Sequence, residues 1–121
     1  MIIDTIRLKE TAEIEFSDIV ENVILSRINV LKVIIKDKSF LNVWFSLKRK
    51  GIYSYHWERR FIDGSIYRHD NVSHKAWQDI KTFPKHFHNG SDTNVEESYL
   101  SDDPEEAVRE FLNFIRGKIK F

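Results

Sequence analysis

The side chains best suited to chemistry near neutral pH are concentrated in about a quarter of the chain. All five histidines lie between residues 56 and 88, four of them within residues 66–90, and the chain has no cysteine. Histidine has an ordinary pKa near 6.5, so it can transfer protons, bind a metal ion through a ring nitrogen, or form structural hydrogen bonds. The five are His56, His69, His74, His86 and His88.

The spacing of these histidines fits metal binding as well as proton transfer. His86 and His88 are two residues apart, so an extended segment would place both rings on one side, with His74 or Asp70 as a third ligand. A zinc or manganese ion bound there would suit a metal-dependent phosphodiesterase. The chain lacks both cysteine and an HExxH motif. We therefore expect catalytic or hydrogen-bonding histidines that work without a cofactor.

The elements that must position these residues begin with strands. Four segments are rich in β-branched and aromatic residues and are separated by turn residues, of which Asp63-Gly64 is the strongest hairpin signal. We predict a single α+β domain over residues 1–121, built on an antiparallel meander of four to five strands. The four segments are 30–37, 40–49, 52–62 and 65–71.

Helices are predicted on both sides of the meander. Residues 16–28 carry apolar side chains at helical spacing, whereas residues 1–8 have the pattern of a short first strand. Asp103 precedes Pro104 and a group of acidic residues, which predicts a helix over about 105–119. That helix should cover one face of the sheet and leave the other face or a rim for function. Its expected buried residues are Phe111, Leu112 and Ile115.

A two-residue turn at Asp63-Gly64 would fix how the flanking strands pair. Its register produces one polar, titratable face and sets Arg59 directly against Arg68 on the other. Opposed like charges cost stability, so either an anion bridges these arginines or a bulge shifts the register. The pairs on the polar face would be Glu58 with His69, His56 with Asn71, and Arg60 with Tyr67.

Composition excludes several classes of protein. No apolar run approaches the roughly 18 to 20 residues that cross a bilayer, and the start of the chain does not resemble a signal peptide, so we expect a cytoplasmic protein with no membrane partner. No GxGxxG or Walker motif supports a nucleotide cofactor. The net charge is zero, but residues 1–90 have 15 basic and 11 acidic residues and residues 91–121 have 4 and 8. The excess basic charge therefore lies in the histidine-containing part.

Several short motifs occur here in a characteristic order. "YSYHWE" (53–58), "RHDN" (68–71), His74 and "FPKHFH" (83–88) resemble the toxin component of TumE-type toxin–antitoxin systems, over about residues 40–90. His69 stands where that family usually has tyrosine, and its doubled histidine is reduced here to His74. The resemblance implies a toxin encoded beside a small DNA-binding antitoxin, which would be its cognate partner.

The residue types in these motifs suggest RNA as the target. A small metal-independent ribonuclease needs a base, a cation for the phosphate and an acid, and histidine with arginine can supply all three. A metal-dependent phosphodiesterase through His74, His86 and His88, or a non-catalytic nucleic-acid-binding module, is the alternative, and a homodimer is left open. The candidate catalytic residues are His56, Glu58, Arg68, Asp70, His86 and His88. The candidate substrate-binding residues are Tyr53, Tyr55, Arg59, Arg60, His69, Asn71 and His74.

Overall fold

Helices pack on one face of an antiparallel sheet in the computed structural model, which describes residues 3–119. The seven strands lie in the sheet in the order in which they follow one another along the chain. The helices are α1 (Thr5–Glu15), the one-turn α2 (Arg60–Asp63) and α3 (Pro104–Lys118), with a 3₁₀ turn at Lys75–Trp77. The strands are β1 (Val20–Arg27), β2 (Val30–Ile35), β3 (Phe40–Phe45), β4 (Tyr53–Arg59), β5 (Ser65–Asp70), β6 (His86–Gly90) and β7 (Val95–Glu97).

The predicted α+β class and antiparallel meander are confirmed, although the sheet has seven strands rather than four to five. The four predicted segments correspond to β2 to β5. Strand β6 contains His86 and His88, and it pairs with β5 along its whole length. The sheet therefore extends directly into the histidine-rich part of the chain.

The core lies between the sheet and the two long helices. Strands β2, β3 and β4 each bury every second residue, as expected for strands with one covered face. Helix α3 buries Phe111, Leu112 and Ile115 as predicted, and Asp103 caps it by accepting a hydrogen bond from the backbone amide of Glu106. The C-terminal helix prediction is confirmed in both position and orientation.

The N-terminal predictions are wrong in position. Residues 20–27 form strand β1, not part of a helix, and α1 occupies residues 5–15, partly within the predicted strand. Strand β1 has an irregularity between Val20 and Asn22, so its inward residues Val20 and Val23 are three apart. A spacing of three between inward residues is also found on the buried side of a helix, which explains why this segment was predicted to be helical.

Helix α1 escaped prediction because its buried side is only partly apolar. Thr5, Leu8, Thr11 and Ala12 are buried at helical spacing, but two of the four are threonines. Each threonine satisfies its hydroxyl by donating to a backbone carbonyl, Thr5 to Ile28 at 2.9 Å and Thr11 to the carbonyl one turn earlier. The apolar pattern of this segment is therefore too weak to predict a helix.

The predicted two-residue hairpin turn between β4 and β5 is also wrong. Residues Arg60–Asp63 form one helical turn that ends at Gly64, whose φ of 79° is readily adopted by glycine. The connection is longer than predicted, and His56 is paired with Arg68 rather than with Asn71. The partner of His56 is thus shifted by three residues. Because three is an odd number, the residues of β5 that share a face with His56 are the alternate set from those predicted. It also removes the predicted clash of Arg59 with Arg68, because Arg59 pairs with Ser65.

Candidate functional site

Polar side chains that are distant in the sequence form one row across the sheet. Cross-strand pairing places Asn42 opposite His56, His56 opposite Arg68, and Arg68 opposite His88. Directly paired residues project from the same face of a sheet, and the alternate residues of these strands face the helices. The row therefore lies on the face opposite α1 and α3, which we call the open face.

His56 lies between a carboxylate and a guanidinium. Its Nε2 is 3.2 Å from Oε1 of Glu58, and its Nδ1 is 3.2 Å from a terminal nitrogen of Arg68. An ionised carboxylate only accepts hydrogen bonds and a guanidinium only donates them. Nε2 therefore carries the proton, and Nδ1 presents its lone pair to Arg68. The neutral imidazole is the form that satisfies both partners.

The surroundings favour a neutral His56 and an ionised Glu58. Burial lowers the pKa of His56 below its ordinary value, and the positive charges of Arg68 and Arg60 act in the same direction, while the hydrogen bond to Glu58 opposes them. Hydrogen bonds from the Arg60 side chain are the main reason that the pKa of Glu58 falls to about 2. A neutral imidazole is thus oriented by a carboxylate that stays ionised at physiological pH.

Arg68 connects three acceptors. Its Nε donates to Oδ2 of Asp70 at 3.2 Å, one terminal nitrogen donates to His56, and the other donates to Oδ1 of Asp92 at 3.0 Å. The Asp70 side chain is only 9% exposed, whereas that of Asp92 is 56% exposed. An incoming anion would therefore displace Asp92 from Arg68 more easily than Asp70.

Asp70 lies on the buried side of Arg68 and meets two histidines. Its Oδ1 is 3.1 Å from Nε2 of His86, and its Oδ2 is 3.7 Å from Nε2 of His88. Oδ1 also accepts a hydrogen bond from the backbone amide of Val72 at 3.0 Å. Asp70, His86 and His88 are all buried. Together they form a compact group of one carboxylate and two imidazoles.

The 3₁₀ turn closes this end of the open face. The ring of Trp77 lies with its centre 6.4 Å from that of His86 and 6.2 Å from that of His88. His74 precedes the turn, is exposed, and accepts a hydrogen bond from the backbone amide of Ala76 through Nδ1. His74, the predicted metal ligand, therefore lies outside the group, and Asp70 takes the third position.

Some residues expected to bind substrate lie on the covered face instead. Tyr53 and Tyr55 are 8% and 2% exposed and belong to the core, so their rings pack beneath the helices and not on the open face. The ring of His69 stacks on Phe87 at 4.1 Å and meets Phe111 edge-on at 5.5 Å. The altered hairpin register accounts for the position of His69, since it turns this residue towards α3. Three of the residues predicted to bind substrate therefore lie on the covered face.

The remaining predicted residues lie around the margin of the site. Asn71 binds two backbone groups at the start of β4 and in the preceding turn, which is a structural role. Arg59 pairs with Asp37 and Asp63, and its side chain is 12% exposed. Arg60 also pairs with a carboxylate, but 59% of its side chain is exposed. Of these three, Arg60 is the most accessible to a partner.

Several residues at the site were missed by the sequence reasoning. Asp92 had no recognisable signal, because it lies in a polar loop that reaches Arg68 only through the pairing of β5 with β6. The alternating pattern of β3 did carry a signal: Phe40, Asn42 and Trp44 share the open face with His56 and are half-buried. Trp77 was not selected either, although it packs against both buried histidines.

Comparison with known families assigns the chain to a class. The family model described as Toxin TumE matches residues 4–119, nearly the whole chain, so the protein belongs to the TumE toxin family. It is therefore a toxin of a toxin–antitoxin system and has an antitoxin as its partner. Comparisons with curated proteins and with solved structures found no match. Within residues 3–119 no helix has the length and apolar character needed to cross a membrane.

Proposed function

We propose that this toxin acts on RNA as a small ribonuclease whose chemistry needs no metal ion. The observation that carries the proposal is the hydrogen-bonded series of Glu58, His56 and Arg68 on the open face. In RNA the 2′-hydroxyl can attack the adjacent phosphate. Such an enzyme then needs a base for the 2′ proton, a cation beside the phosphate, and an acid for the leaving oxygen.

His56 has the features of a base oriented by a carboxylate. Glu58 accepts from Nε2–H, which fixes the tautomer and leaves the lone pair on Nδ1 beside Arg68. When Nδ1 takes the 2′ proton, the resulting imidazolium is stabilised by the negative charge of Glu58. The leaving 5′ oxygen departs on the opposite side of the phosphorus atom and takes its proton from solvent. His56 thus serves as the base.

Arg68 is the proposed phosphate-binding residue. Its side chain is 25% exposed, and two of its three nitrogens face His56 and the exposed Asp92 rather than a buried partner. A phosphate that replaces Asp92 receives a planar pair of donors, which also releases Nδ1 of His56 for the 2′-hydroxyl. Asp70 keeps the remaining nitrogen and holds the side chain in place.

His86 and His88 have a supporting role in this proposal. Both were predicted to be catalytic, but they are buried behind Asp70, with the Trp77 ring beside them. Neither faces a phosphate held on the exposed side of Arg68. We assign them to positioning Asp70, which in turn orients Arg68.

The rest of the open face offers a surface for RNA bases. Phe40 and Trp44 are half-buried on β3, next to the strand that carries His56, and the ammonium group of Lys32 lies 4.2 Å from the centre of the Phe40 ring. Aromatic rings and basic side chains on one face are the usual equipment for binding single-stranded RNA. The bases would stack there while the phosphate lies on Arg68.

The test is an RNA cleavage assay with purified protein, carried out with and without EDTA. Wild type should cleave in both conditions, and His56→Ala should lose about 10² to 10⁴-fold in rate, as expected for loss of a general base or acid. His74→Ala is the matched control, because His74 is a histidine of the same segment that lies outside the hydrogen-bonded series. It should cleave at the wild-type rate.

Two other outcomes would assign a different function. Cleavage that is lost in EDTA, is restored by a divalent metal and no longer depends on His56 would transfer the chemistry to Asp70, His86 and His88 and make the toxin a metal-dependent phosphodiesterase. RNA binding without cleavage by any variant, with toxicity retained in His56→Ala, would leave a non-catalytic nucleic-acid-binding protein.

A further inference from the structure

Asp70, His86 and His88 form a buried group that the proposed proton transfer does not use. One nitrogen or oxygen ligand atom from each residue lies within 4.8 Å of those of the other two. Among residues 3–119, this is the group of histidines and acids found to have metal-ligand geometry. The residues are 7%, 3% and 4% exposed, so their convergence is not a chance contact of mobile surface side chains.

The hydrogen bonds of the two histidines fix which ring nitrogen faces Asp70. Nδ1 of His86 lies 2.9 Å from the carbonyl oxygen of Pro84, and Nδ1 of His88 lies 3.0 Å from that of Asp92. A carbonyl oxygen only accepts, so each Nδ1 carries a proton. In the neutral rings, both Nε2 atoms are unprotonated, and they lie 3.1 and 3.7 Å from the carboxylate oxygens of Asp70.

Two unprotonated ring nitrogens beside a carboxylate repel it unless a positive charge lies among them. A proton on Nε2 of His86 would meet Oδ1 of Asp70 and leave the unprotonated Nε2 of His88 beside Oδ2. Protons on both rings would place two positive charges in imidazoles whose centres are 4.9 Å apart. A single divalent ion supplies the same charge at one point and satisfies all three ligand atoms together.

The distances agree with this arrangement. Ligand atoms about 2.0 to 2.2 Å from a tetrahedral ion lie roughly 3.3 to 3.6 Å from one another. Oδ1 of Asp70 is 3.1 Å from Nε2 of His86 and Oδ2 is 3.7 Å from Nε2 of His88, close to that range. Hydrogen bonds also fix the orientation of the ligands. The backbone carbonyls of Pro84 and Asp92 orient the two imidazoles. Arg68 and the backbone amide of Val72 orient the carboxylate. Outer-shell hydrogen bonds of this kind are typical of metal sites.

We propose that Asp70, His86 and His88 bind one divalent ion of the zinc class. Two imidazoles and one carboxylate suit zinc and its transition-metal neighbours, whereas magnesium and calcium prefer oxygen ligands throughout. The ion would join β5 to β6 on the buried side of Arg68 and fix the carboxylate on which Arg68 rests. The proposal is tested without any measurement of ribonuclease activity, because its readouts are metal binding and stability.

The test starts from full-length protein freed of metal by dialysis against a chelator. Cobalt(II), a spectroscopic substitute for zinc, is titrated into it, and zinc bound per chain is measured by elemental analysis after desalting. Wild type should give the visible absorption of low-coordinate cobalt and retain one zinc. Asp70→Asn, His86→Gln and His88→Gln should each bind more than about 100-fold more weakly, because even outer-shell changes cost 10 to 100-fold.

Two histidine variants are matched controls. His56→Gln and His74→Gln remove a histidine from the same part of the molecule without removing a ligand, so both should bind one zinc as wild type does. A measurement that needs no variant also applies: zinc should raise the unfolding temperature of the metal-free wild type, because an ion that binds only the folded state stabilises it.

Two results would overturn the proposal. If wild type showed no cobalt absorption, retained no zinc and had the same unfolding temperature with and without zinc, protons rather than a metal would lie between these groups. If Asp70→Asn bound cobalt as tightly as wild type, any metal would be held elsewhere. Loss of metal binding would leave the ribonuclease proposal standing, since that depends on His56 and is tested by RNA cleavage.

Discussion

The two faces of the sheet are built from alternate residues of the same strands, yet different forces hold them. On the covered face, Tyr55 and Trp57 are fully packed against apolar and aromatic neighbours beneath the helices. On the open face, His56 and Glu58 are held by hydrogen bonds and charge. Stability and reactivity are therefore expected to respond to different substitutions, even at adjacent positions.

Adjacent residues of β4 give the sharpest contrast. His56→Ala should reduce RNA cleavage by about 10² to 10⁴-fold, equivalent to roughly 3 to 5 kcal/mol, with a loss of stability of only about 1 kcal/mol. Tyr55→Ala should lower the free energy of unfolding by about 3 to 5 kcal/mol, because it empties a buried aromatic site. Cleavage assays and urea denaturation measure the two effects separately. Equal destabilisation by both variants would contradict the division between the faces.

Leu112 tests the covered face from the helix side. It is 0% exposed and packs in the core from α3. Leu112→Ala should lower the free energy of unfolding by about 2 to 5 kcal/mol, measured by chemical denaturation. Asn113→Ala is the matched control on the exposed side of the same helix, and should change stability by about 0.5 kcal/mol or less. A similar effect of both substitutions would mean that α3 does not cover the sheet.

The difference between the faces also explains what the sequence could predict. Regular alternation in β2 to β4 and the capped, amphipathic α3 follow from local patterns, and these elements were predicted correctly. The β1 bulge and the threonines of α1 disguise the local pattern, so both elements were assigned wrongly. Strands β6 and β7 were not predicted, because their segments are rich in polar residues and pair through contacts that no local pattern reports.

The same limit applies to the candidate site. The sequence selected His56, Arg68, Asp70, His86 and His88, because their residue types and motifs are conspicuous, and the structure brings all five together. It could not place His69, whose face depends on the length of the β4–β5 connection. Contacts set by register, such as that of Asp92 with Arg68, depend on the whole sheet.

His69 gives a pH test of the covered face. Burial is the main cause that lowers its pKa to about 4 from an ordinary 6.5, so the folded state binds fewer protons than the unfolded state between these values. Stability should therefore fall as the pH drops from about 6.5 to 4, by up to roughly 3 kcal/mol. His69→Phe, which fits between Phe87 and Phe111, should reduce this loss in denaturation experiments across that range. An unchanged pH dependence in His69→Phe would show that His69 is not the group responsible. His74→Phe, at an exposed histidine, is the control and should keep the wild-type pH dependence.

Arg68→Lys tests whether the open face needs a guanidinium or only a positive charge. Lysine has one nitrogen in place of the planar fork, so it cannot contact Asp70, His56 and a phosphate together. Losing one or two hydrogen bonds to charged groups, at about 1.5 to 3 kcal/mol each, should reduce cleavage by at least roughly 10-fold. Arg109→Lys, a change in an arginine of α3 that pairs with Glu15 on the helix side, should have little effect. Wild-type cleavage by Arg68→Lys would show that charge alone suffices.

The smallest expected effect concerns which face the antitoxin covers. We propose that an acidic segment of the antitoxin docks on the basic residues around positions 48 to 85, which include Arg59, Arg60 and Arg68, and blocks RNA, so that binding weakens as salt increases. Arg60 is the most accessible arginine there, with a side chain 59% exposed, and an exposed charge pair contributes about 0.2 to 1 kcal/mol. Arg60→Gln should therefore weaken antitoxin binding only a few-fold and reduce its salt dependence, both measured by calorimetry at several ionic strengths.

The matched control is Arg116→Gln on α3, where Arg116 pairs with Asp18 on the helix side. The reverse result, with Arg60→Gln silent and Arg116→Gln weakening the complex, would place the antitoxin on the helices and leave the open face free in the complex.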